Sequence, residues 1–262
     1  MNKRIYLSPP HMGKKELKSI NNAFNSNWIA PTGPDIDAFE KEISGYIGCT
    51  SSCATTSGTA ALHLALRILG ITNNDIVFCP SLTFSASANV ILYQNAIPVF
   101  IDCDPKYWTI DISLLESAFK KYKPKALISV DLYGQSCDYD NLVDLCNHYK
   151  VLMIEDAAEA LGSEINRTKL GNFGGIGIFS FNGNKIITTS GGGMLVSNQD
   201  QYVSKARFLS KGGDPKKFTY GYPHSIGSLE KLEKSAKGLG SISFLDQTDG
   251  IIRSLPLIVR FE

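Results

Sequence analysis

The feature that most constrains this chain is an alternation. Six short apolar runs rich in β-branched and aromatic residues occur at 75–79, 97–103, 126–132, 151–155, 175–181 and 193–196. Helically spaced stretches lie among them at 58–69, 85–94, 113–121 and 139–149, and two more precede them at 14–25 and 35–46. Short runs that are apolar on both faces read as buried, mostly parallel strands, each returned by a crossover helix. The expectation is an α/β layered domain with a mostly parallel central sheet. At 262 residues the chain can bury a sizeable core.

After Ser210 the pattern changes. Lys211-Gly212-Gly213-Asp214-Pro215-Lys216-Lys217 is polar and rich in breakers, and only a short helix at 228–237 and an apolar run at 251–261 follow. That is too little for a second core. The expected organisation is a main domain over 1–210 and an atypical tail over 211–262.

Charge narrows the partners. The 26 basic and 25 acidic side chains nearly cancel, which gives no reason to expect nucleic acid or an anionic membrane. Residues 1–10 carry charge but no apolar core, so no secretory leader is expected, and no run approaches the ~18 apolar residues of a membrane helix. Six scattered cysteines without a CxxC pair, and four scattered histidines, indicate neither a disulfide framework nor a metal site. A soluble, reduced, cytoplasmic protein is expected.

The chemistry concentrates at strand ends. Lys185 stands between an apolar strand and Gly191-Gly192-Gly193, with no acid near it in sequence to pair it. A lysine in a partly dry pocket loses its proton readily and can form a Schiff base. It follows by 29 residues a strand that ends in Asp156, where open α/β sheets place their ligands. A carboxylate there can keep a pyridine nitrogen protonated. Taken alone, Asp156 fits a metal ligand, a ribose contact or a structural acid equally well. Glu159 is expected to face the same site, and an exposed loop acid is the alternative.

Ser57-Gly58-Thr59 opens a helix, where free N–H groups and the dipole favour an anion. An isolated Ser-Gly-Thr is more often an ordinary cap. Phe84, between a strand and a helix, can stack on a flat ring, although single aromatics at such places are more often core. Ser180, five residues before Lys185, can reach the same phosphate as Thr59, and a strand serine bonded to backbone is its alternative. Each signal is weak alone. In this order they describe a pyridoxal phosphate pocket: phosphate cup, ring stacker, acid, phosphate serine, lysine.

At this point the chain resembles the DegT/DnrJ/EryC1/StrS sugar aminotransferases, which have the aspartate aminotransferase fold (fold type I). The matching blocks are Ser57-Gly58-Thr59-Ala60-Ala61-Leu62, Thr83-Phe84, Leu132-Tyr133-Gly134, 155–162 and 180–193, within a likeness running from about Ile5 to Ser210. Blocks 7–13 and 182–193 most resemble the UDP-N-acetylbacillosamine-type 4-aminotransferases. The resemblance implies pyridoxal 5'-phosphate as cofactor, held covalently by Lys185. It implies Asp156 at the ring nitrogen, Phe84 on the ring, Glu159 near the phenolic oxygen, and Gly58, Thr59 and Ser180 at the phosphate or the sugar side. Asn27, Trp28, Ile29 and Ala30 match the segment that contacts the nucleotide sugar.

The implied reaction moves an amino group from glutamate to the C4 keto group of a UDP-linked 4-keto-6-deoxy N-acetylhexosamine, for glycan or surface polysaccharide biosynthesis, in a homodimer. A dehydratase branch carries histidine in place of the lysine, and Lys185 argues against it. The family's asparagine-arginine motif is expected beyond Arg207-Phe208, but Tyr220-Gly221-Tyr222 is followed by Pro223-His224-Ser225. The small C-terminal domain is therefore expected to be missing, and a catalytically inactive remnant is the second reading. A plain nucleotide-binding α/β module is the third; it lacks a GxGxxG after its first strand and leaves Lys185 unexplained.

Overall fold

The computed structural model describes residues 9–210, which fall within one compact unit, Met1–Lys211. The tail at 211–262, with its expected helix and apolar run, lies outside the described residues, as do Leu7 and Ser8.

In chain order the elements are α1 (Lys15–Asn25), α2 (Pro34–Ile47), β1 (Ser51–Thr55), α3 (Gly58–Ile68), β2 (Ile76–Pro80), α4 (Ala86–Tyr93), β3 (Ile97–Ile101), α5 (Ile112–Lys121) and β4 (Ala126–Val130). There follow a single 3₁₀ turn (Leu132–Gly134), α6 (Tyr139–Tyr149), β5 (Leu152–Asp156), β6 (Glu164–Ile165), β7 (Thr168–Lys169), β8 (Ile176–Ser180), β9 (Gly193–Ser197) and α7 (Asp200–Ser210).

Seven strands form one sheet in the order β1-β9-β8-β5-β4-β2-β3. Pairings among β3, β2, β4, β5 and β8 are parallel, and β9 runs antiparallel to both β8 and β1. The mostly parallel sheet expected from sequence is therefore present.

Alternate side chains of each strand go to opposite faces, so one strand feeds two cores. Phe78, Leu127, Met153, Phe179 and Met194 pack with Ile43, Leu115 and Leu142 from α2, α5 and α6. Val77, Ile128, Ile154, Ile178 and Leu195 pack with Leu62, Leu66, Ile91 and Val203 from α3, α4 and α7. Burial of this kind is worth about 2 kcal/mol for each large aliphatic side chain, and the central strands interrupt it on the α2, α5 and α6 side only at the buried Ser129 and Glu155.

Three elements escaped the sequence reading. β1 (Ser-Ser-Cys-Ala-Thr) is a polar edge strand whose hydroxyls bond to flanking helices: Ser51 Oγ donates to Asp200 of α7 at 2.8 Å and Ser52 Oγ to the Glu40 carbonyl of α2 at 2.7 Å. α7 buries only Val203 and Ala206, too few for a visible periodicity. The β6–β7 hairpin has two-residue strands, and Asn166 and Arg167 at its turn both have positive φ. The expected strand at 126–132 ends earlier, at Val130, because Asp131 leads into the 3₁₀ turn.

Candidate active site

The topology places one cavity at the carboxyl ends of β4, β5 and β8. Strand order reverses beside β2, from which the chain steps outward to β3 and then back to β4; such reversals open a crevice in α/β sheets. The cavity encloses ≈ 330 Å³. Gly58, Thr59, Phe84, Asp156, Glu159, Ser180 and Lys185, predicted from four separate stretches of chain, all line it. Asn27, Trp28, Ile29 and Ala30 do not; they are exposed in the segment after α1.

One end of the cavity is a cradle formed by the start of α3 and the end of β8. Ser57 caps α3, its Oγ accepting the Ala60 N–H at 3.0 Å, so this turn is the ordinary cap, and it also lines the cavity, as the anion reading requires. Thr59 sits at the helix start and Ser180 at the end of β8. The backbone at Gly58 runs so close to Ser180 that a Cβ there would lie 2.9 Å from the Ser180 Cβ. Glycine is needed at that contact.

Asp156 forms the floor. It is 6% exposed, its Oδ2 accepts the Ser87 hydroxyl at 2.8 Å and its Oδ1 the Ala158 N–H at 3.3 Å. Burial pushes its carboxyl above the ordinary range, against the pull of Ser87, Ala158 and the Lys185 charge. Such a group gains from any cation placed against it.

Lys185 is not unpaired. Its Nζ lies 2.9 Å from Glu159 Oε1, and the two side chains are 12% and 26% exposed. The acid missing from the neighbouring sequence comes from the loop after β5. Glu159 Oε2 in turn accepts the Tyr133 N–H at 2.9 Å. Burial works to raise the Glu159 carboxyl, but the Lys185 bond, the Tyr133 N–H and the Lys185 charge carry it below the usual range. Phe84 is 69% exposed with its ring centroid 5.9 Å from Lys185 Nζ, so it is a wall of the site and not part of the core.

Sequence reasoning missed Ser87, which orients Asp156, and Asp131, the acid that follows β4. Ser87 carried no signal beyond lying four residues after Thr83, whose hydroxyl it meets at 2.9 Å. Asp131 carried the same signal as Asp156, an acid closing an apolar strand.

These residues fit pyridoxal phosphate. The cradle at Gly58 and Ser180 suits a phosphate, a buried carboxylate lies at the end of β5, an aromatic face is exposed, and an amine stands against them. Among the described residues no cluster of His, Cys, Asp and Glu has the arrangement of a metal site, and no helix is long and apolar enough to cross a membrane.

Comparison with known proteins gives a consistent picture. The model of the DegT/DnrJ/EryC1/StrS aminotransferase family matches residues 10–247, beyond the Ser210 at which the resemblance was expected to stop. The chain is 51% identical over 247 residues to EpsN of Bacillus subtilis (strain 168), provisionally named a pyridoxal phosphate-dependent aminotransferase, covering 92% of this chain and 63% of EpsN. It is 40% identical to GDP-perosamine synthase of Caulobacter vibrioides, covering 93% of this chain and 66% of that protein. The chain thus spans just under two thirds of the length of these relatives. Among solved structures, a Streptococcus pneumoniae protein provisionally named sugar aminotransferase Spr1654, in its PLP form, superposes with a TM-score of 0.76 at 29% identity over 80% of this chain and 59% of its own.

Proposed function

The chain belongs to the DegT/DnrJ/EryC1/StrS aminotransferase family, and we propose that it serves as a pyridoxal phosphate-dependent nucleotide-sugar aminotransferase. The amino donor is glutamate, and the acceptor is the C4 keto group of a UDP-linked 4-keto-6-deoxy N-acetylhexosamine. The observation that carries this reading is the convergence of Lys185, Asp156 and the Gly58–Ser180 cradle on one cavity.

Pyridoxal phosphate, when bound, supplies an electron sink for charge developing at the amino donor's α-carbon. The protein's own groups do the rest. The α3 N-terminus, Thr59 and Ser180 would hold the phosphate through backbone and hydroxyl donors. Asp156, held by Ser87, would face the ring nitrogen and keep its proton in place. Phe84 would cover one face of the ring and exclude water from it. Lys185 Nζ would anchor the cofactor covalently and, once released, accept and return the transferred proton. Glu159 keeps that amine oriented while it is free.

The family contains members with other sugars. One relative is a GDP-perosamine synthase and another a UDP-N-acetyl-3-dehydro-alpha-D-glucosamine 3-aminotransferase. The C4, UDP-linked assignment rests on the likeness of 7–13 and 182–193 to the bacillosamine-type enzymes. We place Asn27, Trp28, Ile29 and Ala30 at the nucleotide sugar, in a homodimer, with the product feeding surface polysaccharide in the cytoplasm. α1, which buries none of its residues and leaves Leu17, Ile20 and Phe24 exposed, supports a second copy as partner.

The test is product formation. Cofactor-loaded protein is supplied with glutamate and, in parallel, UDP-linked 4-keto, GDP-linked 4-keto and UDP-linked 3-keto sugars, and the amino sugar is detected by mass. Amination of the UDP-linked 4-keto sugar alone supports the reading. Preference for either of the others overturns the sugar assignment. A cofactor that remains unaminated with glutamate supports the non-catalytic remnant.

A further inference from the structure

A second carboxyl reaches the floor of the same cavity and has no role in the scheme above. Asp131 is 1% exposed. Its Oδ1 accepts the Tyr139 hydroxyl at 2.9 Å and the Cys137 N–H at 3.2 Å. Its Oδ2 is buried with no donor to accept among the described residues. Opposite stands Glu155, 0% exposed, whose oxygens accept the backbone N–H groups of Gly171, Phe173 at 2.7 Å and Gly174 at 3.0 Å. Glu155 pairs in register with Ser129, whose Oγ lies 3.4 Å from the same Tyr139 hydroxyl that Asp131 holds, so the two carboxyls share one buried pocket and each shifts the other.

Two carboxyl groups can share a hydrogen bond only if one of them keeps a proton. The three N–H donors identify Glu155 as the anion. The proton then sits on Asp131 Oδ2, which turns an atom without a donor into a donor. We propose that Asp131 is a positioning residue that works as a neutral acid, its Oδ2–H pinned to Glu155 so as to fix the turn that holds Glu159 against Lys185.

The backbone links run directly. Asp131 N–H donates to the Asp156 carbonyl at 3.1 Å, and the Asp131 carbonyl accepts Gly134 N–H at 3.1 Å across the 3₁₀ turn. Tyr133, in the middle of that turn, has a positive φ of 54° and gives its N–H to Glu159. An exposed tyrosine in that strained conformation needs its flanks held. The ionisable groups packed on Asp131 are Glu155, Tyr139 and Cys137. Burial, then the Glu155 charge, hold Asp131 well above the usual carboxylate range. Burial raises Glu155 as well, against its backbone donors and Asp131. Burial also raises Tyr139 and Cys137, so neither supplies a competing charge.

The sign of the pH effect follows. An acid whose folded value is raised contributes its stability fully at low pH and loses it as pH climbs from the ordinary carboxylate range through the raised value. Asp131→Asn reproduces the neutral acid: its amide can donate to Glu155 while its oxygen accepts from Tyr139 and Cys137. The test compares melting temperature against pH for the wild type, Asp131→Asn and Asp131→Ala. We expect the Asn variant to fold, with an advantage over the wild type that grows as pH rises; Asp156 contributes the same background to both. We expect the Ala variant to melt lower throughout and to hold pyridoxal phosphate about tenfold more weakly, or worse, while Asp131→Asn holds it like the wild type.

With ¹³C-labelled aspartate, the wild type should show a carboxyl that stays protonated at neutral pH and disappears in Asp131→Asn. The proposal is overturned if Asp131→Asn fails to fold, if it melts as low as Asp131→Ala, if its difference from the wild type is constant with pH, or if that carboxyl signal is absent. The cofactor arm rests on the function proposed above. If the wild type takes up no pyridoxal phosphate, that function fails, while melting and NMR still decide the proton.

Discussion

Lys185 Nζ lies 2.9 Å from Glu159 Oε1, although the two residues are 26 positions apart. The pair gives the free lysine a fixed direction into the cavity, and it also gives its ammonium form a partner. Both effects bear on cofactor capture, because only the neutral amine attacks an aldehyde.

Replacing Glu159 by Gln keeps the shape and removes the charge. The expected outcome is that the yellow lysine-bound form appears about threefold more slowly, because a neutral amide holds Nζ in place less firmly than a carboxylate does. Absorbance followed in time after mixing with pyridoxal phosphate measures this. An unchanged rate would show that the ion pair does not orient the amine.

The cradle makes a steric prediction. A methyl at Gly58 would meet the Ser180 Cβ at 2.9 Å and the Phe179 carbonyl at 3.4 Å. Gly58→Ala should weaken pyridoxal phosphate binding by more than tenfold. Ser180→Ala, which deletes one donor to a charged group, should weaken it by about tenfold. Titration with pyridoxal phosphate, and with free phosphate as competitor, checks both.

Asp156 sets function against stability. Burial raises its carboxyl, so in the cofactor-free protein the ionised form costs stability as pH climbs from the ordinary carboxylate range through the raised value. Asp156→Asn should therefore raise the melting point of the cofactor-free protein by a few degrees at neutral pH, roughly 1 kcal/mol. The same change should sharply reduce amination of the cofactor by glutamate. Loss of both stability and amination would contradict the assignment.

A fourth prediction concerns the scaffold. Arg207 Nη1 pairs with Glu40 at 2.8 Å and its Nη2 donates to the Ser52 carbonyl at 2.9 Å, while Glu40 Oε1 accepts the Ala54 N–H at 2.8 Å. This ties α7 and α2 to the edge strand β1. Glu40 is 7% exposed, so Arg207→Ala strands a buried charge and should cost about 2–3 kcal/mol, a figure reduced by the partial exposure of the arginine. Urea denaturation measures it, and a cost below that of a surface mutation would refute the tie.

What was readable in the sequence follows from periodicity and strand-end chemistry. α6 was expected at 139–149 and spans Tyr139–Tyr149, because its cap and its apolar spacing agree. The central strands β2, β4, β5 and β8 were legible because they are buried on both faces, and the edge strand β3 was legible by its short apolar run although Ile97 and Phe100 are exposed. β1 was not, because an edge strand bonded through its own serines looks like a loop. The pocket residues were legible by position: Asp156 ends β5 and Ser180 ends β8. The partner of Lys185 was not, because pairing across 26 residues is a product of topology and leaves no local mark. Asp131 could have been found by applying the reasoning used for Asp156 to the end of β4.

In the proposed function Lys185 is the residue that holds the cofactor. Purified protein is incubated with pyridoxal phosphate, reduced with borohydride and digested, and the modified peptide is identified by mass spectrometry, with Lys185→Ala as control. The expected result is a yellow protein, the label on Lys185, and a colourless variant. A label on another lysine, no label, or a Lys185→Ala protein that stays yellow would contradict it.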